Sequence, residues 1–210
     1  MDIKNIDKNF KINSANESEY DFFPYRSFTV EGFCKDGAGE KELVRLPKAV
    51  LKNLSPALNE AAHFCAGGVV GLRTDSSKIA VRCNYNQMRN SSGMPLSADA
   101  GIDLYSGLKF IANYRPEDGN PFIDMEASTE SEQMCDYTMY LPLYSNINEL
   151  EIGLLKGSKT EKAAPHKSGK TILFYGSSVT NGGCASRPGL TYPAVITRKM
   201  GAEMINLGFS

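Results

Sequence analysis

The sequence predicts a mostly β protein. An antiparallel, jelly-roll-like β-sandwich is expected over residues 1–160, a linker over 161–169, and the first βαβ part of an α/β domain over 170–210. Three observations predict this. Short runs of alternating apolar and polar residues, parted by turn signals, fill the first three quarters of the chain. The texture turns basic and small near residue 156. An unbroken apolar run then leads into a Gly/Ser-rich loop and a helical stretch.

Taken in order, Phe28-Thr29-Val30 is a short strand, and Lys48–His63 is a helical candidate interrupted by Pro56. In Lys78–Tyr85, Ile79, Val81, Cys83 and Tyr85 share one face, with Ala80, Arg82 and Asn84 on the other; a period of two predicts a strand with one buried side. Gly101–Tyr105 and the run from Leu108 to Tyr114 flank Ser106-Gly107, which predicts a tight hairpin. Further turn signals stand at Asp75-Ser76-Ser77, Ser91-Ser92-Gly93 and Glu117 to Pro121. Tyr137–Leu143 is strand-like, and Pro142 places an edge or a strand end there. Leu150-Glu151-Ile152 is another short strand.

Lys156–Lys170 is a linker or long connection by composition. Thr171-Ile172-Leu173-Phe174-Tyr175 does not alternate, which predicts a strand buried on both faces, as in parallel sheets. A helix over Thr191–Met200 follows, with Thr191 as its cap and Gly201 closing it. Glu203–Leu207 is the next strand. One βαβ unit cannot cover both faces of its own sheet, so residues 170–210 are expected to begin a longer domain or to pack in an unusual way.

Charge and composition exclude several classes. Lys and Arg total 23 against 24 Asp and Glu, for a net charge of -1, which argues against a nucleic-acid partner held through phosphates. With 41% hydrophobic and 22% charged residues the chain reads as globular and not disordered. No apolar run is long enough for a membrane span. Met1-Asp2-Ile3-Lys4-Asn5 opens a polar segment without an export signal, so the expected compartment is cytoplasmic, or extracytoplasmic if a signal peptide was removed earlier. Five scattered cysteines form neither a disulfide framework nor a zinc ribbon. His63 and Cys65 are two possible metal ligands without a partner pair, so no metal is expected. Ser168-Gly169-Lys170-Thr171 lacks the earlier Gly and the preceding strand of a phosphate loop, so no nucleotide cofactor is expected.

The chemistry centres on Gly176-Ser177-Ser178-Val179-Thr180. A Ser just past the C-terminal end of a buried parallel strand sits where open α/β sheets bind ligands. Neighbouring Gly permits a sharp turn, and the N–H groups of that turn can hold an oxyanion. A loop carrying two solvated serines is the plainer reading of the same residues. Cys184 is a weaker nucleophile candidate, since no His adjoins it and Arg187 is its nearest cation in sequence. Tyr105, Tyr114, Tyr137, Tyr140 and Tyr144 are either a sugar-binding face or sandwich packing, and packing is preferred because the chain has no Trp.

Leu173–Thr180 resembles the first block of the SGNH (GDSL-type) serine hydrolases, with Ser177 where that family usually has Asp. Cys184–Ala194 and Ile205–Ser210 resemble one subgroup and the approach to the second block. Upstream, Gly101-Ile102-Asp103-Leu104-Tyr105 is similar to the G-x-D-L-Y signature of a β-sandwich that precedes such hydrolase domains. The resemblance implies a flavodoxin-like SGNH domain, a serine esterase removing acetyl or similar groups from carbohydrate, Ser178 as nucleophile, and no cofactor or metal. Asp103 and Tyr105 are read as fixing a strand end or the interdomain contact rather than performing chemistry. The second-block Gly, the third-block Asn and the D-x-x-H of base and acid have no match in this chain, and His63 and His166 lie upstream of Ser178. On that resemblance the 210-residue chain is expected to begin a longer enzyme and to be inactive alone. The expected partner is a small-molecule or glycan acyl ester. The competing class is a non-catalytic carbohydrate-binding or interaction module.

Overall fold

The computed structural model describes residues 15–34, 42–117, 120–129 and 131–209. The polar opening at Met1–Asn5, the Asp118-Gly119 centre of one turn signal, and Ser210 lie outside them. Elements are numbered in chain order. One sheet runs β1 (Tyr20–Pro24), β9 (Asn146–Leu155), β4 (Lys78–Gln87), β7 (Phe122–Ser128), all antiparallel. The facing sheet runs β10 (Thr160–Lys162), β3 (Val69–Thr74), β8 (Cys135–Tyr140), β5 (Ile102–Ser106), β6 (Lys109–Tyr114). A short strand, β2 (Thr29–Glu31), shares the outer edge of β3 with β10: β2 pairs with Val69–Gly71 and β10 with Leu72–Thr74. The mostly β, antiparallel class predicted from alternation is the class found.

The core lies between the sheets. Ile79, Val81, Cys83 and Ile152 meet Val70, Leu72, Leu104 and Met139, all essentially without solvent contact. Tyr114 crosses the gap, and its hydroxyl donates to the Ile79 carbonyl at 2.9 Å. The buried face expected for β4 is therefore the core face. Its other face is not bare as expected, because Ala80 is covered by Ala15, Tyr20 and Phe22. The β5–β6 hairpin turns at Gly107, with φ +55°. Leu108 belongs to that turn and is 66% exposed, and a register shift between Leu104 and Tyr105 interrupts the pairing of β5 with β6. Pro142 lies just beyond the end of β8, an interior strand. The first residues of the predicted linker are not linker, since Thr160–Lys162 bond to β3.

Pro56 does not kink one helix; it starts a second. Lys48–Leu51 is α1, and Pro56–Ala62 is α2, with the Ser55 hydroxyl accepting from Leu58 N–H. A third short helix, α3 (Leu96–Asp99), precedes β5.

Residues 171–209 form the α/β part. β11 (Thr171–Gly176) pairs in parallel with β12 (Glu203–Gly208). Between them lie α4 (Ser178–Asn181), a 3-10 turn at Pro188–Leu190, and α5 (Tyr192–Met200). Thr191 caps α5 and Gly201 closes it at φ +60°. Burial of β11 differs from expectation. Phe174 packs with Met204, Ala194 and the sandwich residues Val69, Tyr105 and Tyr140. Leu173 and Tyr175 on the opposite face are 57% and 83% exposed. Among the described residues only one face of this two-stranded sheet has a layer against it, so a strand apolar throughout is buried on one side. No helix among the described residues is long and apolar enough to cross a membrane.

Ile152 sits at the centre of the core with no exposed surface. Ile152→Ala should lower the unfolding free energy by about 2–5 kcal/mol in urea titration. A loss below ~1 kcal/mol would place the core elsewhere.

Candidate active site

Ser178 stands two residues past the C-terminal end of β11, as the first residue of α4, and is partly exposed. Ser177 is extended and acts as N-cap through its carbonyl, which accepts from Thr180 and Asn181 N–H at 3.0 and 3.1 Å. The first N–H groups of a helix have no intrahelical acceptor. The N–H of Ser178 is one of these, beside its own hydroxyl. The Ser178 carbonyl is held by Gly182 and Gly183 N–H at 2.9 and 2.7 Å, which folds the chain sharply back. Gly176 permits this turn, because a Cβ there would overlap the Thr180 hydroxyl. The Ser178 hydroxyl makes no hydrogen bond among the described residues.

Two buried groups fix the adjoining strand end. The Asn206 amide donates to the Thr180 carbonyl at 2.8 Å, and its Oδ1 accepts from Gly208 N–H at 2.8 Å. A single side chain thus ties β12 to α4. Arg45, buried in the sandwich segment, donates to the carbonyls of Gly208 (2.8 Å), Asn206 (3.3 Å) and Ala61 (2.7 Å). Burial lowers its pKa to about 10, so it remains cationic at neutral pH. Alternate residues of a strand point to one edge, so Arg45 closes the edge of β12 that does not face β11.

The loop after α4 is clamped on the sandwich. Asp103, fully buried in β5, accepts from Asn113 Nδ2 (2.8 Å), Arg187 Nη1 (3.1 Å) and Gly189 N–H (2.9 Å). Burial raises the Asp103 pKa, and these donors oppose the rise. Arg187 also donates to the Tyr105 hydroxyl at 2.9 Å and lies 3.7 Å from the Phe110 ring centre. Gly189 has no room for a side chain, because a Cβ would overlap the Tyr105 ring. Further ties run from Asn181 Nδ2 to the Leu143 carbonyl (3.1 Å) and from Ser97 to the Ser186 carbonyl (2.7 Å). The Gly101–Tyr105 segment is therefore in contact with the loop that follows α4.

His63 ends α2, not a strand, and its Nδ1 meets the Asn59 carbonyl at 2.7 Å. His166 pairs with Glu31 at 2.7 Å. Cys65 is fully buried away from solvent, and burial pushes its thiol up to about 12. Cys184 is exposed in the loop, with φ +65°. Among the described residues no group of three or more His, Cys, Asp or Glu is placed to hold a metal. Tyr105, Tyr114, Tyr137 and Tyr140 are core residues at 6% exposure or less, which excludes them as an open sugar-binding face; Tyr144 is partly exposed. Sequence reasoning passed over Arg45 and Asn206. A lone Asn within the apolar run Met204-Ile205-Asn206-Leu207 was the available signal.

A family model described as GxDLY, the N-terminus of SGNH-hydrolase-type esterases, matches residues 20–160. The chain belongs to that family. A model of the GDSL-like lipase/acylhydrolase family matches residues 169–210. Among solved structures, a protein assigned as a GDSL-like lipase from Bacteroides ovatus shares 26% identity at a TM-score of 0.80, covering 90% of this chain and 56% of its own. A salicylyl-acyltransferase from a tetracycline biosynthetic pathway shares 20% at 0.69, covering 90% and 54%. An acetyl xylan esterase from Butyrivibrio proteoclasticus shares 11% at 0.55, covering 91% and 49%. The last two are likenesses of fold. The chain spans about half the length of these structures. No curated protein matches it.

Removing Arg187 leaves a buried carboxylate short of its cationic partner. Arg187→Ala should cost about 3 kcal/mol in urea titration. In a cycle with Asp103→Asn the two losses should not add. Additive losses would show that the two side chains do not interact.

Proposed function

We propose that the protein serves acyl-ester hydrolysis, with Ser178 as nucleophile and acyl esters of carbohydrate, acetyl esters above all, as substrates. The observation that carries this reading is the placement of Ser178. Its hydroxyl lies at the C-terminal rim of a parallel strand, and its own N–H has no intrahelical acceptor.

In this mechanism the Ser178 oxygen attacks the ester carbonyl and its proton passes to a base. The Ser178 N–H donates to the oxyanion as charge builds there; one such donor is worth about a hundredfold to a thousandfold in rate. The C–O bond to the alcohol then breaks, the alcohol leaves with the proton, and water hydrolyses the acyl-serine. The base is assigned to a D-x-x-H block by family resemblance, not to His63 or His166, which are bonded to Asn59 and Glu31. Support for the acyl class comes from the matched families and from neighbours named as an acyltransferase and an acetyl xylan esterase. The carbohydrate alcohol rests on the name of that esterase.

The test uses 4-nitrophenyl acetate. In a chain extended through a D-x-x-H block, Ser178→Ala should reduce turnover by at least ~10³-fold. Residues 1–210 alone should stay at background. Turnover that survives Ser178→Ala overturns the nucleophile. Ser178-dependent turnover by residues 1–210 would place the base among them.

A further inference from the structure

The end of β12 holds the Ser178 turn from both sides. Ahead of the nucleophile, the Gly176 carbonyl accepts from Phe209 N–H at 3.1 Å. Beyond it, the Thr180 carbonyl accepts from the Asn206 amide at 2.8 Å. Between these two bonds Gly208 lies against α4, where an added Cβ would come 2.2 Å from the Asn181 nitrogen. A shift of this strand end therefore moves the backbone that presents the Ser178 hydroxyl and N–H.

That strand end is itself held by Arg45. One arm of the guanidinium, Nη1, donates to the Gly208 and Asn206 carbonyls at 2.8 and 3.3 Å, and the other, Nη2, donates to the Ala61 carbonyl at 2.7 Å. The guanidinium carbon lies 4.4 Å from the Phe209 ring centre. Arg45 N–H donates to the Ala62 carbonyl at 2.9 Å, which fixes the backbone that carries the side chain. Gly67, just before β3, closes against Asn206, and a Cβ there would come 2.4 Å from the Asn206 Cβ. Asn206, Gly208 and Phe209 are thus each in contact with the sandwich segment.

Stability alone does not call for this residue. Arg45 is 4% exposed, its Nε–H has no acceptor, and among the described residues no carboxylate pairs with it. Burying an unpaired cation is costly, and apolar replacements of buried charged groups are often neutral or stabilising. An apolar side chain cannot fix two carbonyls of one strand end and a third on α2 in a single planar fork. A charged donor on the Gly208 carbonyl also polarises the peptide that links it to Phe209, whose N–H is the donor to Gly176. The guanidinium thereby tightens the bond that anchors the turn ahead of Ser178.

We propose that Arg45 is a positioning residue for the reaction at Ser178: it sets the end of β12 and, through the Phe209–Gly176 and Asn206–Thr180 bonds, both sides of the nucleophile turn. The sandwich is then a working part of the active site. This rests on the esterase reading and adds what aligns the nucleophile. An error of about 1 Å at a reacting group costs on the order of a hundredfold in rate, so a loosened strand end should be visible in kcat.

Kinetics and amide hydrogen exchange test this together. In the chain extended through a D-x-x-H block, Arg45→Met should lower kcat for 4-nitrophenyl acetate at least ~10-fold with KM within about twofold, the pattern of a lost transition-state alignment. Arg45→Lys keeps the charge but not the fork; it should lower kcat at least ~3-fold, and it carries the test where Arg45→Met does not fold. Ile152→Ala weakens the sandwich core away from β12 and, while folded, should leave kcat within about twofold. In residues 1–210 the same Arg45 variants should speed exchange at Phe209 and Asn181 N–H at least ~10-fold while the amides of β4 keep their protection. Unchanged kcat in a folded Arg45 variant, an equal fall in Ile152→Ala, or exchange that is unaltered or rises uniformly along the chain would overturn the positioning role. Such a failure beside Ser178-dependent turnover removes the role of Arg45 alone. Selective exchange at Phe209 and Asn181 beside turnover indifferent to Ser178→Ala removes the esterase reading alone.

Discussion

The arrangement depends on one buried carboxylate. Asp103 has no contact with solvent, so its charge must be met inside the protein. Three donors meet it, and two of them, Arg187 and the Gly189 N–H, come from the loop that follows the candidate nucleophile. Desolvating a carboxylate is costly, and leaving it half satisfied costs more than never burying it. The loop is therefore tightly constrained while the sandwich stays folded. The sandwich acts as the mould for a loop that a four-residue helix alone would hold poorly.

The other locks belong to the same logic. Arg45 reaches from the sandwich segment to carbonyls of β12 and of α2, and Asn206 ties β12 to α4. Each replaces a regular hydrogen bond that the short parallel pair has no neighbouring strand to make. Polar groups at such joints specify geometry because alternatives leave them unpaired in a dry place. The stiffness of the Ser178 turn comes from these contacts at least as much as from the turn itself.

Much of the fold was legible in the sequence because it is local. Alternation marked the core face of β4, Ser106-Gly107 marked the hairpin, and Thr191 and Gly201 bounded α5. The site was legible only in part. Ser178 was singled out as a candidate through the turn around it and a family resemblance. The Asp103–Arg187 pair spans 84 residues, and no periodicity encodes a contact of that kind. Arg45 resembled any surface cation, since one sequence does not report burial. The reading of β11 as buried on both faces failed for a related reason. Apolar composition states what a strand tolerates, whereas its coverage depends on which layers are present.

That uncovered face has a practical side. Leu173 and Tyr175 present an apolar surface to water, and β11 carries no strand on its outer edge among the described residues. Backbone groups free along such an edge, beside greasy side chains, invite another molecule to add a strand. Residues 1–210 handled as a separate polypeptide should self-associate as concentration rises, and charge introduced at position 173 or 175 would be the direct way to keep them dispersed.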